Sequence, residues 1–356
     1  MSDELVIQSH RGRYAVAFDD DALARLDADV PSGAHFVVDA RVASLYARDL
    51  ANVLRSSSVL IVEATEGAKS LARFEGYVEH LLARRVRRAH VLFAIGGGIV
   101  QDIVCFLAST LLRGLEWRFY PTTLLAQADS CIGSKSSINV GAAKNVLGTF
   151  YPPSRIAIGT RVLATLEARD LRSGVGEMLK VHAIEGPASF DRIAADYESL
   201  FADPAAMMRA IRRSLEIKKR VIEEDEFDLG PRNVMNYGHS FGHAIESATS
   251  FAVPHGIAVT IGMDMANYTA ARLGLCDESH YERMRPVLRT NMAGFERAPV
   301  PLDAFFAALH KDKKNTDEAL RLVLPDRTGR VSLRSCAGDA RFRKICEEYL
   351  IRGRSG

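Results

Sequence analysis

The 356-residue sequence has no apolar run approaching the roughly 20 residues that a membrane-spanning helix needs, which excludes a bilayer-crossing reading. Its charge is nearly balanced, with 46 basic against 44 acidic residues and a net charge of +2. No global field therefore draws it to nucleic acid or an anionic membrane surface. Cysteine is sparse: the five residues Cys105, Cys131, Cys276, Cys336 and Cys346 are scattered and show no C-x-x-C spacing. That argues against both a disulfide framework and a thiolate zinc site, and reduced thiols are expected. The opening MSDELVI is acidic, unlike the basic and then apolar start of a signal peptide, so the cytoplasm is the expected location. Internal repeats, low-complexity tracts and Gly/Ser- or Pro-rich linkers are also missing, and only the terminal RGRSG is expected to fray.

What is present is a globular composition, 47% hydrophobic and 25% charged, long enough for two domains with separate cores. The first part alternates short β-branched runs (YAVAF, HFVVDA, VLIVEA, HVLFAIGGG, EWRFYPTT, RIAIGT) with helical patterns such as DARVASLYARDLANVLR. From about Thr165 the strands vanish, and amphipathic stretches such as AAMMRAIRRSLEIKKRVIEEDE and GMDMANYTAARLGL follow one another. The expectation is an α/β N-terminal nucleotide-binding domain over residues 1–165, then an all-helical C-terminal domain over 166–356.

Chemistry-bearing residues concentrate in four places. Gly96, Gly97 and Gly98 sit where the strand HVLFAI meets a helix, a position at which backbone amides and aligned peptide dipoles can hold a phosphate, or which is simply a tight turn. Asp39, ending the strand HFVVD, suits ribose hydroxyls and so favours NAD over NADP, or it caps the next helix. Residues 121–153 gather Thr122, Thr123, Asp129, Lys135, Asn139, Lys144 and Asn145 in an otherwise apolar frame, as a ligand-facing segment or a polar loop over a sheet edge. Finally, His239 and His243 lie one helical turn apart and His255 follows sixteen residues after His239. Two of these three imidazoles could approach one divalent ion, or the first two could be a polar surface pair. The basic run ARRVRRAH (83 to 90) has no interleaved aromatics and reads as a solvated helix end rather than a nucleic-acid patch.

The succession EGAKS (66 to 70), GGGIVQD (96 to 102), LLRG (111 to 114), PTTLLAQADS (121 to 130), GSKSSIN (133 to 139), KNVLGTFYPP (144 to 153), GVGEMLK (174 to 180), PRNVMNYGHSFGHAIE (231 to 246), HGIAVTIGM (255 to 263) and DKKN (312 to 315) resembles the 3-dehydroquinate synthases. These belong to the sugar-phosphate cyclases, whose fold is similar to that of glycerol dehydrogenase. The resemblance covers nearly the whole chain. It implies Glu177, His239 and His255 as ligands of Zn2+ or Co2+, and turns His243 toward a substrate phosphate together with Lys135, Asn145, Lys313 or Lys314, and Arg113 from a second subunit. It implies an NAD site at Asp39, Glu66, Lys69, Gly97, Gly98, Asp102, Thr122, Thr123, Leu125, Lys144 and Thr165. Asp129, Lys180, Lys218, Arg232 and Asn236 would hold the hydroxyls and carboxylate of a sugar acid, and Arg113 serving a neighbour's site would require at least a homodimer.

The implied reaction converts 3-deoxy-D-arabino-heptulosonate 7-phosphate into 3-dehydroquinate by transient oxidation at C5, phosphate elimination, reduction and aldol closure, so that NAD is regenerated. Relatives cyclise sedoheptulose 7-phosphate or an amino analogue, and a plain NAD-dependent polyol dehydrogenase or a non-catalytic member are further alternatives. Lys218 and Arg232 favour the sugar acid, because a carboxylate needs cationic recognition, unless they pair with Glu223, Asp225 or Glu226. The chain departs from the family pattern at Ser134, Ile257, Gln101, Cys105 and Pro231. Ile257 replaces a carboxylate beside a metal-binding histidine, while Gln101 and Cys105 replace glycines and are expected to crowd the cofactor helix.

Overall fold

The structure is a computed structural model and describes residues 4–141, 143–311 and 319–354. The chain divides into two compact units, residues 1–166 with 218–227 and residues 167–217 with 228–356.

The first unit is built on a seven-stranded sheet. Its strands are β1 (Glu4–Ser9), β2 (Gly12–Phe18), β3 (Ala34–Asp39), β4 (Val59–Val62), β5 (Val91–Gly96), β6 (Glu116–Pro121) and, after a separate hairpin of β7 (Lys135–Val140) and β8 (Ala143–Phe150), β9 (Arg155–Ile158). The spatial order is β1-β2-β9-β6-β5-β3-β4, antiparallel at β1–β2 and parallel elsewhere. Strands buried on both faces read as continuous apolar runs, and Phe36, Val38, Phe93 and Ile95 of β3 and β5 form a core with Leu26, Leu50 and Val53. From β3 the chain crosses to β4 on one side, then returns to β5 on the other. The reversal leaves a crevice at the carboxyl ends of β3 and β5, which is where parallel sheets bind ligands. Helix α1 (Gly98–Thr110) opens from the end of β5.

The predicted helix over DARVASLYARDLANVLR is broken into Ala40–Leu45 and Ala51–Leu54. No glycine or proline marks the break. It falls where the Tyr46 hydroxyl is anchored to the Val162 carbonyl at 3.2 Å and to Thr165 Oγ1 at 2.9 Å, a long-range contact that outweighs local periodicity.

The second unit is mainly helical. Three helices matter for the site: α2 (Ala168–Glu185), α3 (His239–Ala248) and α4 (His255–Arg272), the last buried over most of its length. Contrary to the all-helical expectation, β10 (Ala319–Pro325) and β11 (Val331–Ala337) pair as an antiparallel hairpin. Leu320, Leu322 and Leu324 are buried at every second position there, but Val323 between them is buried too, so the period-two signal is weak and the short segment lies among longer helical stretches that mask it. Among the described residues no helix is long and apolar enough to cross a membrane.

Candidate active site

In the first unit the turn after β5 brings backbone rather than side chains to the crevice. Gly97 is the N-cap of α1, and a Cβ there would lie 2.8 Å from Thr123 Cγ2, so the close approach of this turn to the segment after β6 needs glycine. The Thr122 amide donates to the Gly96 carbonyl at 2.9 Å, tying the two strand ends together. Gly98 opens on free space beyond its Cα. Asp39 ends the neighbouring strand and does cap its helix, Oδ1 accepting from the Arg41 amide at 2.8 Å. Thr122 is buried, Leu125 partly buried and Thr165 exposed, with the Thr165 hydroxyl bonded to Tyr46.

A polar network lies along α1 and the β7–β8 hairpin. Lys69 is buried, and its Nζ donates at 2.9 Å to both Asp102 Oδ2 and Asn145 Oδ1, with Glu66 Oε1 at 3.6 Å. Asp102 Oδ1 accepts from the Ser137 amide, and burial raises its pKa against the opposing pull of Lys69. Asn139 donates to Glu66 Oε2 at 2.9 Å, and its own amide oxygen accepts from the Asn145 amide. The structure thus gathers Glu66, Lys69, Asp102 and Asn145, the last of which the sequence resemblance had placed with the substrate phosphate. Lys135, Lys144 and Arg113 are exposed, Arg113 in a left-handed conformation with φ 67°.

Gln101 and Cys105 do not crowd α1 as expected. Gln101 Nε2 donates to the Ser130 carbonyl and the Ser130 hydroxyl returns a bond to Gln101 Oε1, both at 2.7 Å. Cys105 Sγ donates to the Tyr151 carbonyl at 3.1 Å, and burial pushes this thiol up to about 12. Both substituents fill polar gaps rather than collide. Ser134, where the family has glycine, holds φ 65° and donates to Glu226 at 2.6 Å. Asp129, next to Ser130, pairs with Lys218 at 2.5 Å, and both are buried.

The second unit holds the histidines. A Cβ on Gly176 would lie 2.2 Å from the Gly256 carbonyl oxygen, and one on Gly256 1.8 Å from that of Ser173, so α2 and α4 touch backbone to backbone. This contact sets Glu177 beside His255, each being next in sequence to one of the two glycines. Glu177 is 2% exposed and neither carboxylate oxygen makes a well-formed hydrogen bond. Its neighbours are Lys180 Nζ at 2.6 Å, His255 Nε2 at 3.1 Å and His239 Nε2 at 3.7 Å. A buried carboxylate faced by the Nε2 atoms of two imidazoles is the N2O donor set of a divalent cation, so these residues fit the implied ion. His243 is exposed, yet its ligating nitrogen lies within 4.8 Å of those of His239 and His255, so the structure also brings the third imidazole to the group.

The electrostatics agree. Burial alone would raise Glu177, but Lys180, His239 and His255 outweigh it and hold its pKa well below the usual carboxylate range. Burial, with Lys180 and the other two histidines, pushes His239 well below its ordinary value against the opposing pull of Glu177. Burial opposes protonation of His255 too, but the negative carboxylates of Glu177 and Glu246 on either side of the ring raise it to about 10. A cation at Nε2 would take the place of that proton. Glu246, which ends the motif PRNVMNYGHSFGHAIE and has no role in the sequence expectation, is brought to the group as well, its Oε2 3.1 Å from His255 Nδ1. Its spacing of seven from His239 puts it on the same face of α3, a signal that was available.

Arg232 is buried at 4% exposure, and Asn236 Nδ2 donates to the Asn233 carbonyl at 3.1 Å. Lys313 and Lys314 lie outside the described residues.

A parallel sheet with a glycine-opened helix, followed by a helical unit carrying a buried carboxylate and imidazoles, defines an enzyme of the sugar-phosphate cyclase type. Comparison with known proteins makes the assignment specific. Residues 59–173 match the family model described as 3-dehydroquinate synthase N-terminal, and 174–315 that of 3-dehydroquinate synthase C-terminal. The chain belongs to the 3-dehydroquinate synthase family. It is 34% identical over 348 residues to the 3-dehydroquinate synthase of Paracoccus denitrificans, covering 93% of this chain and 95% of that one. Among solved structures, the 2-epi-5-epi-valiolone synthase of Streptomyces hygroscopicus, with NAD+ and Zn2+ bound, superposes with a TM-score of 0.81 at 30% identity over 95% of this chain and 96% of that one. A 2-deoxy-scyllo-inosose synthase complexed with carbaglucose-6-phosphate, NAD+ and Co2+ shares the fold, with a TM-score of 0.82 at 22% identity, covering 98% and 99% of the two chains. The fold extends to glycerol dehydrogenase of Schizosaccharomyces pombe, with a TM-score of 0.57 at 16% identity over 98% and 90%.

Proposed function

We propose that this chain is a 3-dehydroquinate synthase, converting 3-deoxy-D-arabino-heptulosonate 7-phosphate into 3-dehydroquinate and phosphate. The observation that carries the reading is the convergence of His239 Nε2 and His255 Nε2 on Glu177 Oε1 in a member of this family. When bound, NAD+ would accept and return a hydride at C5 while Zn2+ or Co2+ polarises the oxygen there. Residues 1–165 would supply the nucleotide site at Asp39, Glu66, Lys69, Gly97, Gly98, Asp102, Thr122, Thr123, Leu125, Lys144 and Thr165. Residues 166–356 would hold the cation through Glu177, His239 and His255. Lys180, Arg232 and Asn236 there, and Asp129 and Lys218 earlier assigned to the sugar acid, would orient hydroxyls and carboxylate. Lys135, Asn145, His243, Lys313 or Lys314, and a neighbour's Arg113 in a cytoplasmic homodimer would take the phosphate. Holding reacting groups in a near-attack geometry is where these residues lower the barrier.

A second reading has its own support. Lys218 already faces Asp129 at 2.5 Å, so its charge is matched within the protein, and the 30% identity to a valiolone synthase accompanies a TM-score of 0.81. These favour a cyclase for a carboxylate-free sugar such as sedoheptulose 7-phosphate. The deciding experiment measures phosphate release by metal-loaded protein with trace NAD+ from both sugars in parallel. Turnover of the heptulosonate alone, without net NADH, is the expected result. Turnover of sedoheptulose 7-phosphate alone would overturn the leading reading in favour of the second, and silence with both would overturn the cyclase assignment of this substrate class.

A further inference from the structure

Each imidazole of the donor group has a second ring nitrogen, and what that nitrogen bonds decides which one is left to face a cation. His239 Nδ1 lies 3.2 Å from the Tyr237 carbonyl oxygen. His255 Nδ1 lies 3.1 Å from Glu246 Oε2. In both rings Nε2 is the nitrogen turned toward Glu177. A neutral imidazole carries one N–H, so donating it at Nδ1 leaves the Nε2 lone pair available.

Glu246 is built to serve as that acceptor. It is 9% exposed and lies on α3 three residues after His243 and seven after His239. Its backbone carbonyl accepts from the Phe251 amide at 2.7 Å, closing the turn that leads into His255. Ile257, two residues after His255, is fully buried and has no polar side-chain atom, so it offers the ring no acceptor.

We infer that Glu246 is a positioning residue, which fixes the tautomer and ring orientation of His255 for a divalent cation. The inference rests on the metal reading of the site given above. A carboxylate at the far nitrogen raises the basicity of the facing one and restrains the ring, and loss of such partners commonly lowers metal affinity 10- to 100-fold.

The test is affinity of the full chain for Zn2+ and Co2+ alone, by competition with a chromophoric chelator. Glu246→Gln keeps the shape of the side chain and is expected to weaken binding about 10- to 100-fold. In a His255→Gln background the same change is expected to cost less than about twofold, because Glu246 acts through that ring. An undiminished loss in that background would show a general packing role and overturn the assignment, as would unchanged affinity of Glu246→Gln beside a tightly binding wild type. A wild type that binds neither ion would overturn the metal reading itself and this inference with it. Should Glu246→Gln fail to fold, nitrogen NMR of the metal-loaded wild type decides: His255 protonated at Nδ1 and metal-bound at Nε2 supports the role, and the reverse overturns it.

Discussion

Lys218 and Asp129 form a buried ion pair, the Lys218 ammonium lying 2.5 Å from Asp129 Oδ1 and donating at 2.6 Å to the same residue's carbonyl oxygen. The side chains are 8% and 12% exposed, so the contact is desolvated as well as short.

Removing one member of a buried ion pair takes away much of the compensation of the charge that stays behind. Asp129→Ala is expected to destabilise the protein by about 3 to 5 kcal/mol, and Asp129→Ala with Lys218→Met by clearly less than the sum of the single changes. Urea unfolding of the four proteins measures this. Additive losses would show that the two residues do not act as a pair.

The donor group separates by role. Glu177→Gln, His239→Ala and His255→Ala are each expected to lower phosphate release about a thousandfold, since a polarising ion contributes several kcal/mol. His243→Ala is expected to raise KM for the sugar phosphate while leaving Zn2+ affinity within about threefold, roughly 0.7 kcal/mol. A collapse of Zn2+ affinity in His243→Ala would instead make it a ligand, as its nearness to His239 and His255 allows.

Three histidines away from the donor group make folding acid-sensitive. His35, His182 and His280 each have a pKa pushed down to about 4, chiefly by burial. Nearby His90 adds to the shift at His35 and Arg283 at His280, while Ser189 and Glu185 oppose it at His182. The unfolded chain takes up these protons near pH 6.5 and the folded chain only near 4. The stability they contribute is therefore complete above pH 6.5 and falls as pH drops toward 4, by up to about 1.4 kcal/mol per pH unit for each histidine. Urea midpoints between pH 7 and 4.5 test this, and a flat profile would refute it.

Gln101→Leu removes both bonds to Ser130 and leaves partly buried polar atoms unmatched. A loss of about 1 to 3 kcal/mol is expected from urea unfolding. No loss would mean that glycine gave way to glutamine here without structural consequence.

Much of the fold was legible. The runs YAVAF, HFVVDA, VLIVEA, HVLFAIGGG, EWRFYPTT and RIAIGT correspond to β2, β3, β4, β5, β6 and β9, because strands packed between layers are rich in apolar and β-branched residues, most fully so in the central β3 and β5. The β7–β8 hairpin was read as a polar segment, since much of β8 is exposed and carries no apolar run. The break at Tyr46 is invisible in the local pattern, and the contact found there, a hydroxyl bonded over a hundred residues along the chain, leaves no local trace.

The sequence by itself determined the class of fold, through apolar periodicity, and pointed to the family, through the resemblance of its motifs. The resemblance also offered Glu177, His239 and His255 as candidate donors for a cation without showing how they meet, since helical spacing relates His239 only to His243 and Glu246. Tertiary structure decided that Glu177 reaches the histidines, through the backbone contact of Gly176 with Gly256. It likewise decided that Lys218 closes on Asp129, and that His255 stands between two carboxylates. The physical reason is that these relationships join elements far apart in sequence, where packing between surfaces, and no local pattern, fixes which atoms come within bonding distance.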